Sequence, residues 1–99
     1  MEAIIVLCAD EDFGGNTITL NGDVPNLKAA GVNFNDKTSS VVVRSGTFTL
    51  YRDFGYQGPS VTVCKTGGPN NDGMYPHPLW MGNMNDAFSS VRKNADSPA

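Results

Sequence analysis

A nine-residue motif of this chain occurs twice, six of its positions unchanged. Asn33-Phe34-Asn35-Asp36-Lys37-Thr38-Ser39-Ser40-Val41 returns as Asn83-Met84-Asn85-Asp86-Ala87-Phe88-Ser89-Ser90-Val91. The first Asn, the Asn-Asp pair, the Ser-Ser pair and the closing Val recur, while the residues between them change freely. The pattern N-x-N-D-x-x-S-S-V therefore fixes oxygen-bearing side chains at set spacing, and oxygen donors suit a hard cation such as Ca²⁺. The same Asn-Asp and Ser-Ser pairs also suit turn capping through side-chain-to-backbone hydrogen bonds. One copy would not separate the two readings; two matched copies favour ligation, with Asn35 and Asn85 suited to the capping part in either case.

A second echo aligns Phe13-Gly14-Gly15-Asn16-Thr17-Ile18-Thr19-Leu20 with Tyr56-Gln57-Gly58-Pro59-Ser60-Val61-Thr62-Val63. The chain is thus two copies of one unit. The displacement from Asp36 to Asp86 exceeds that from Gly15 to Gly58 by about seven residues, which places an insertion between Val63 and Asn83. Residues 66–78, rich in Gly, Pro and Asn, read as an irregular surface loop that contains it.

Ninety-nine residues make one domain, too small for two independent cores, so the repeats must share one. Val, Ile, Thr, Phe and Tyr gather in short runs separated by Gly, Asn and Pro, without sustained helical periodicity, which is the pattern of an all-β domain. Strands are expected over residues 3–8, 17–20, 39–44, 47–52, 60–64 and 89–92, with a further short one over 24–27. Ser45-Gly46 makes a tight turn joining the repeats, because Gly takes the positive φ that such turns require. Val41, Val43, Phe48 and Leu50 alternate along their strands and are expected to face the core, where apolar burial drives folding.

Seven basic residues against ten acidic give a formal charge of −3, and the basic residues are scattered, which argues against nucleic-acid binding. No apolar run approaches the roughly 20 residues of a membrane span, and the N-terminus lacks the basic start of a signal peptide. A soluble monomer without a membrane partner is expected; its location stays open, with the cytoplasm favoured over an exported site. Cys8 and Cys64 form neither a CxxC pair nor a zinc-ligand pair, which leaves a disulfide or, more simply, two buried thiols. Asp10-Glu11-Asp12 fails as an EF-hand start, since Gly14 and Asn21 fall where oxygen ligands are needed. His77 has no Asp or Ser at catalytic spacing and no second His for zinc, and no nucleophile-base pair is visible, so the chain is not read as an enzyme. Tyr75 and Trp80, flanking Pro76 and Pro78, are expected to close over the edge of the sandwich.

The duplicated Asn-Asp-x-x-Ser-Ser, with Tyr51-x-x-x-x-Tyr56-x-Gly58-x-Ser60 ahead of the second copy, resembles the βγ-crystallin domain, in particular its calcium-binding microbial and invertebrate-type members. The resemblance covers nearly the whole chain. It implies a single domain over residues 1–99, with two Greek keys (about 1–45 and 46–94) packed as a βγ-crystallin-type sandwich, and two calcium sites. Carried over by position, it assigns ligand roles to Asp36 and Ser39 and to Asp86 and Ser89, and to the backbone carbonyls of Lys37 and Ala87, where side-chain identity is immaterial. A hairpin carbonyl, from Ala9 and from Arg52, completes each site. Cys8 stands where the second repeat has Tyr51, so the packing of the first hairpin is expected to differ.

With about one carboxylate per site and Lys37 and Arg52 nearby, micromolar to millimolar affinity is expected. The family architecture also implies that each site draws on both repeats. The other function considered is an interaction module, a protease inhibitor or toxin-like domain presenting residues 66–80.

Overall fold

The computed structural model describes residues 3–28, 34, 37–81 and 88–95, and its strands are antiparallel throughout. In chain order they are β1 (Ile4–Cys8), β2 (Thr17–Leu20), β3 (Ser40–Ser45), β4 (Thr47–Asp53), β5 (Gln57–Cys64), β6 (Met74–Tyr75) and β7 (Ser90–Ala95), with 3₁₀ turns at Glu11–Phe13 and Pro78–Trp80. One sheet has the order β2-β1-β3-β6 and the other β5-β4-β7. Six of these strands stand where the alternating apolar residues place them, within two or three residues at each end.

The sheet order shows how two short repeats make one domain. β6 follows β5 in sequence but pairs with β3 of the first repeat, Val41 opposite Tyr75 and Val42 opposite Met74. The reciprocal exchange is smaller. Over residues 24–27 a single bridge forms, in which Val24 and Val91 of β7 trade backbone hydrogen bonds of 2.7 and 2.9 Å. Each repeat thus lends its third segment to the other's sheet, and each sheet's alternating face closes on a common interior. Ile5, Leu7, Val41, Val43, Phe48, Leu50, Val63, Phe88 and Val91 are fully buried there. Val41, Val43, Phe48 and Leu50 face inward as their alternation requires. Gly46, at φ 81°, turns the chain from β3 into β4 and so from one sheet to the other.

The segment read as an irregular loop over 66–78 is more ordered than its composition implies. It contains β6, and the turn before it is drawn tight: Gly67 N–H donates to Cys64 O at 3.0 Å, Gly73 N–H to Gly67 O at 2.9 Å, and Val43 N–H to Gly73 O at 2.7 Å. Tyr75 is the reason for the first of these glycines. Its hydroxyl accepts from Cys64 N–H at 3.0 Å and lies where a Cβ on Gly67 would stand. Glycine density marked a loop correctly in chemistry and wrongly in geometry, because these glycines serve close approach rather than freedom. Tyr75 is buried, but Trp80 is 47% exposed and does not close over the sandwich edge. Among the described residues no helix is long and apolar enough to cross a membrane.

Candidate metal centre

The two copies of the motif enter the structure in matched ways. β3 begins at Ser40 and β7 at Ser90, so Ser39 and Ser89 are the last residues of the loops rather than strand residues. Ser39 N–H donates to Cys8 O, and Ser89 N–H to Tyr51 O, both at 2.8 Å. Cys8 and Tyr51 immediately precede Ala9 and Arg52. Each serine expected to offer a hydroxyl is therefore anchored one residue from the hairpin position expected to offer a carbonyl, and this happens in both repeats.

The second serine of each pair has a role the sequence reading missed. Ser40 Oγ–H donates to Asp10 O at 2.6 Å and accepts from Phe13 N–H at 2.9 Å. Ser90 Oγ–H donates to Asp53 O at 2.6 Å and accepts from Tyr56 N–H at 3.1 Å. One fully buried hydroxyl thus clamps the folded hairpin of its own repeat at both ends, and the aromatic it holds takes a left-handed backbone, φ 65° at Phe13 and 62° at Tyr56. Such a conformation is unfavourable for an aromatic residue and persists where its surroundings over-determine it. The signal is in the repeat itself, where both serines recur.

The hairpins also carry the glycines seen in the sequence echo. Gly15 and Gly58 have φ of 71° and 78°, and a Cβ would meet the carboxylate of Asp10 or Asp53 at 2.6 or 2.5 Å. Substituting Cys8 for the tyrosine changes little of this framework. In the second repeat Tyr51 and Tyr56 pack edge to face, centroids 5.8 Å apart; in the first, the Cys8 thiol is buried and hydrogen-bonds Ser40. Burial pushes that thiol above its ordinary range, against the lowering effect of the Ser40 bond. Cys8 and Cys64 are both free thiols, which removes the disulfide alternative. They lie in different sheets, Cys8 opposite Ser40 in the β1–β3 ladder and Cys64 opposite Thr47 in the β4–β5 ladder.

The repeats meet at the hairpins. Asp12 N–H donates to Pro76 O and Gly55 N–H to Pro25 O, both at 2.9 Å, so each hairpin is bonded to the segment that leads into the other repeat's motif loop. Leu27 N–H continues the contact, donating to Ser89 O at 2.8 Å. The loop of the first motif accordingly leaves from the second repeat's side and arrives, at Ser39, on the first's. His77 reinforces one of these meetings, its Nδ1 2.9 Å from Glu11 Oε1 and its Nε2 3.6 Å from Asp12 Oδ1. That is an exposed polar contact tying the first hairpin to the second repeat.

Of the assigned ligands, Lys37, Ser39, Ser89, Ala9 and Arg52 are described, with Lys37 and Arg52 exposed and the two serines buried. Arg52 falls where the β4–β5 register shifts, at an irregularity between Tyr51 and Asp53. Asp36, Asp86 and Ala87 lie outside the described residues. Among the described residues there is no group of three or more His, Cys, Asp or Glu placed to hold a metal.

The sequence matches the Beta/Gamma crystallin family over residues 4–93. This chain is a βγ-crystallin. A Beta/gamma-crystallin of Ciona intestinalis is 37% identical over 89 residues, covering 90% of this chain and 95% of the relative. The solved structure of a beta gamma crystallin from the same organism superposes with a TM-score of 0.79 at 36% identity, over 92% of this chain and 99% of that one. A betagamma-crystallin from an archaeon gives the same TM-score at 29% identity, over 95% and 100%. The exchange of third segments between sheets and the clamped hairpins are thus features of a βγ-crystallin domain built from the duplicated motif.

Proposed function

We propose that this βγ-crystallin is a non-enzymatic calcium-binding domain with two sites, whose fold is stabilised by the ion. The observation that carries the reading is the matched anchoring of Ser39 beside Ala9 and of Ser89 beside Arg52 through equal backbone bonds to Cys8 O and Tyr51 O. Asp36 and Ser39, with the Lys37 and Ala9 carbonyls, would supply one set of donors, and Asp86 and Ser89, with the Ala87 and Arg52 carbonyls, the other. All are hard oxygens, the donor class that Ca²⁺ takes six to eight of, and loop carbonyls fit its flexible shell better than the tight octahedron of Mg²⁺. The ion's contribution is cohesive: it would tie the motif loops to the hairpins where the two repeats already meet.

An ion bound by the folded state alone stabilises it by RT ln(1 + [L]/Kd), about 2.7 kcal/mol at a hundred times Kd. The thermal midpoint is therefore expected to rise between chelator and millimolar Ca²⁺, and to rise less with Mg²⁺. Superimposed unfolding scans would remove the reading. Exposure of Trp80 and Met74, at 47% and 38%, favours one second reading, an interaction module that presents the segment around β6 to a protein partner. Trp80→Ala and Met74→Ser separate the two, since they would abolish partner binding and leave the calcium-dependent shift intact.

A further inference from the structure

The outer face of the β5-β4-β7 sheet carries a recess that the calcium reading does not use. Its walls are Tyr51, Arg92, Lys93 and Asn94, it is open to solvent, and its volume is about 290 Å³. The strands dictate this collection. Leu50 and Val91 point into the core, so their neighbours Tyr51 and Arg92 face outward. Thr49 lies opposite Arg92 across the β4–β7 ladder and opposite Thr62 across β4–β5.

The polar groups around the recess are held in place before any ligand arrives. The Arg92 guanidinium lies 5.7 Å from the centroid of the Tyr56 ring, and that ring is set by edge-to-face packing on Tyr51 and by the Ser90 clamp on its backbone. Asn94 Nδ2–H donates to Thr49 Oγ1 at 2.9 Å, and Thr49 Oγ1 is in turn 3.1 Å from Thr62 Oγ1. A row of hydroxyls running across the sheet thereby fixes the Asn94 amide at the rim. Among the described residues Arg92 has no carboxylate in ion-pair contact; Asp23, the nearby acid, turns Oδ1 to the backbone N–H of Lys93 at 2.7 Å. In a chain of net charge −3, the outward-facing guanidinium of Arg92 stands at this wall with an aromatic beside it.

We propose that this recess binds a small molecule bearing a phosphate or sulfate ester, with the oxyanion on Arg92 and the organic part against Tyr51. A guanidinium presents paired N–H donors whose spacing matches two oxygens of such a group, and the Tyr56 ring holds it without using those donors. The volume admits one sugar ring or its equivalent and little more, near the lower limit of small-molecule sites. Preorganisation of Arg92 and Asn94 lowers the ordering cost of binding, which suits a weak but specific site.

The test is a titration of the full ¹⁵N-labelled chain, in chelator-containing buffer so that phosphate does not take up calcium. Glucose 6-phosphate, glucose 6-sulfate, inorganic phosphate and plain glucose are compared. Saturable shifts confined to the amides around Tyr51, Arg92 and Asn94 are expected with the two esters, weaker ones with inorganic phosphate, and none with glucose. The relative strength of the esters identifies the oxyanion. Arg92→Gln should weaken binding at least about tenfold, and Arg92→Lys, which keeps the charge but not the fork, by an intermediate factor; a native-like spectrum of either variant certifies the fold. Shifts that fail to saturate through ~20 mM, a concentration well above a millimolar Kd, would overturn the proposal. So would shifts spread equally over the other basic residues, or binding that survives Arg92→Gln.

Discussion

The first repeat and the second keep the same backbone bonds and fill them with different side chains. Ser40 and Ser90 clamp their hairpins with donor-acceptor distances that agree to 0.2 Å or better, and Ser39 and Ser89 make identical bonds to Cys8 O and Tyr51 O. Packing differs at the residues beside these bonds. The second repeat puts Phe88 into the core where the first puts Thr38, and builds an edge-to-face tyrosine pair where the first has Cys8 and Phe13. Both Phe88 and Thr38 are fully buried, but among the described residues the Thr38 hydroxyl has no hydrogen-bond partner. The framework of a βγ-crystallin repeat therefore resides in short polar contacts at fixed spacing, while core side chains are free to vary so long as the shared interior is filled.

If that division holds, Phe88→Ala is the most damaging single change in either motif. It removes a fully buried aromatic from the common core and should cost about 3–5 kcal/mol in denaturant unfolding. Thr38→Ala, at the matching position, should cost far less; equal losses would show that the two repeats contribute alike and would break the comparison.

Next in size are the clamps. Ser40→Ala and Ser90→Ala each strip a partner from one carbonyl and one N–H, and each should cost roughly 2 kcal/mol, with the two values close to one another. Here equality is the expectation, because the bonds match. A cost confined to Ser90→Ala would mean that the first hairpin is held by something other than its serine.

The smallest effect has the opposite sign. Thr38→Val keeps the shape and deletes a buried hydroxyl that bonds to none of the described residues, so the midpoint of unfolding should rise by an amount equivalent to about 1 kcal/mol. A loss of stability on this change would place a bonding partner on that hydroxyl.

Much of this was legible in the sequence because the chain repeats itself. Alternation of apolar residues located six strands, and the duplicated motif located both loops and both hairpins. Long-range pairing was not legible. Nothing local says that Met74-Tyr75 pairs with Val41-Val42 rather than extending its own repeat, since two-residue strands carry no period. The same limit hid the order of the segment before it. Gly67 looks like a flexible position until Tyr75 is seen to fill the space beside it. Of the candidate site, the spacing carried the donor types, and the family resemblance the hairpin positions beside them. It did not separate the serine that clamps from the serine offered to the metal, because both are buried and both recur.

On the proposed function, the duplicated motif makes two calcium sites, each dependent on the carboxylate of its own repeat. Calorimetric titration of the metal-free full chain with Ca²⁺ tests it most directly, alongside Asp36→Ala and Asp86→Ala. Two ions per chain are expected for the parent, with micromolar to millimolar affinity, and one for each variant, in keeping with a shell of few carboxylates. A parent that binds no ion, or variants that both retain two sites at unchanged affinity, would contradict it.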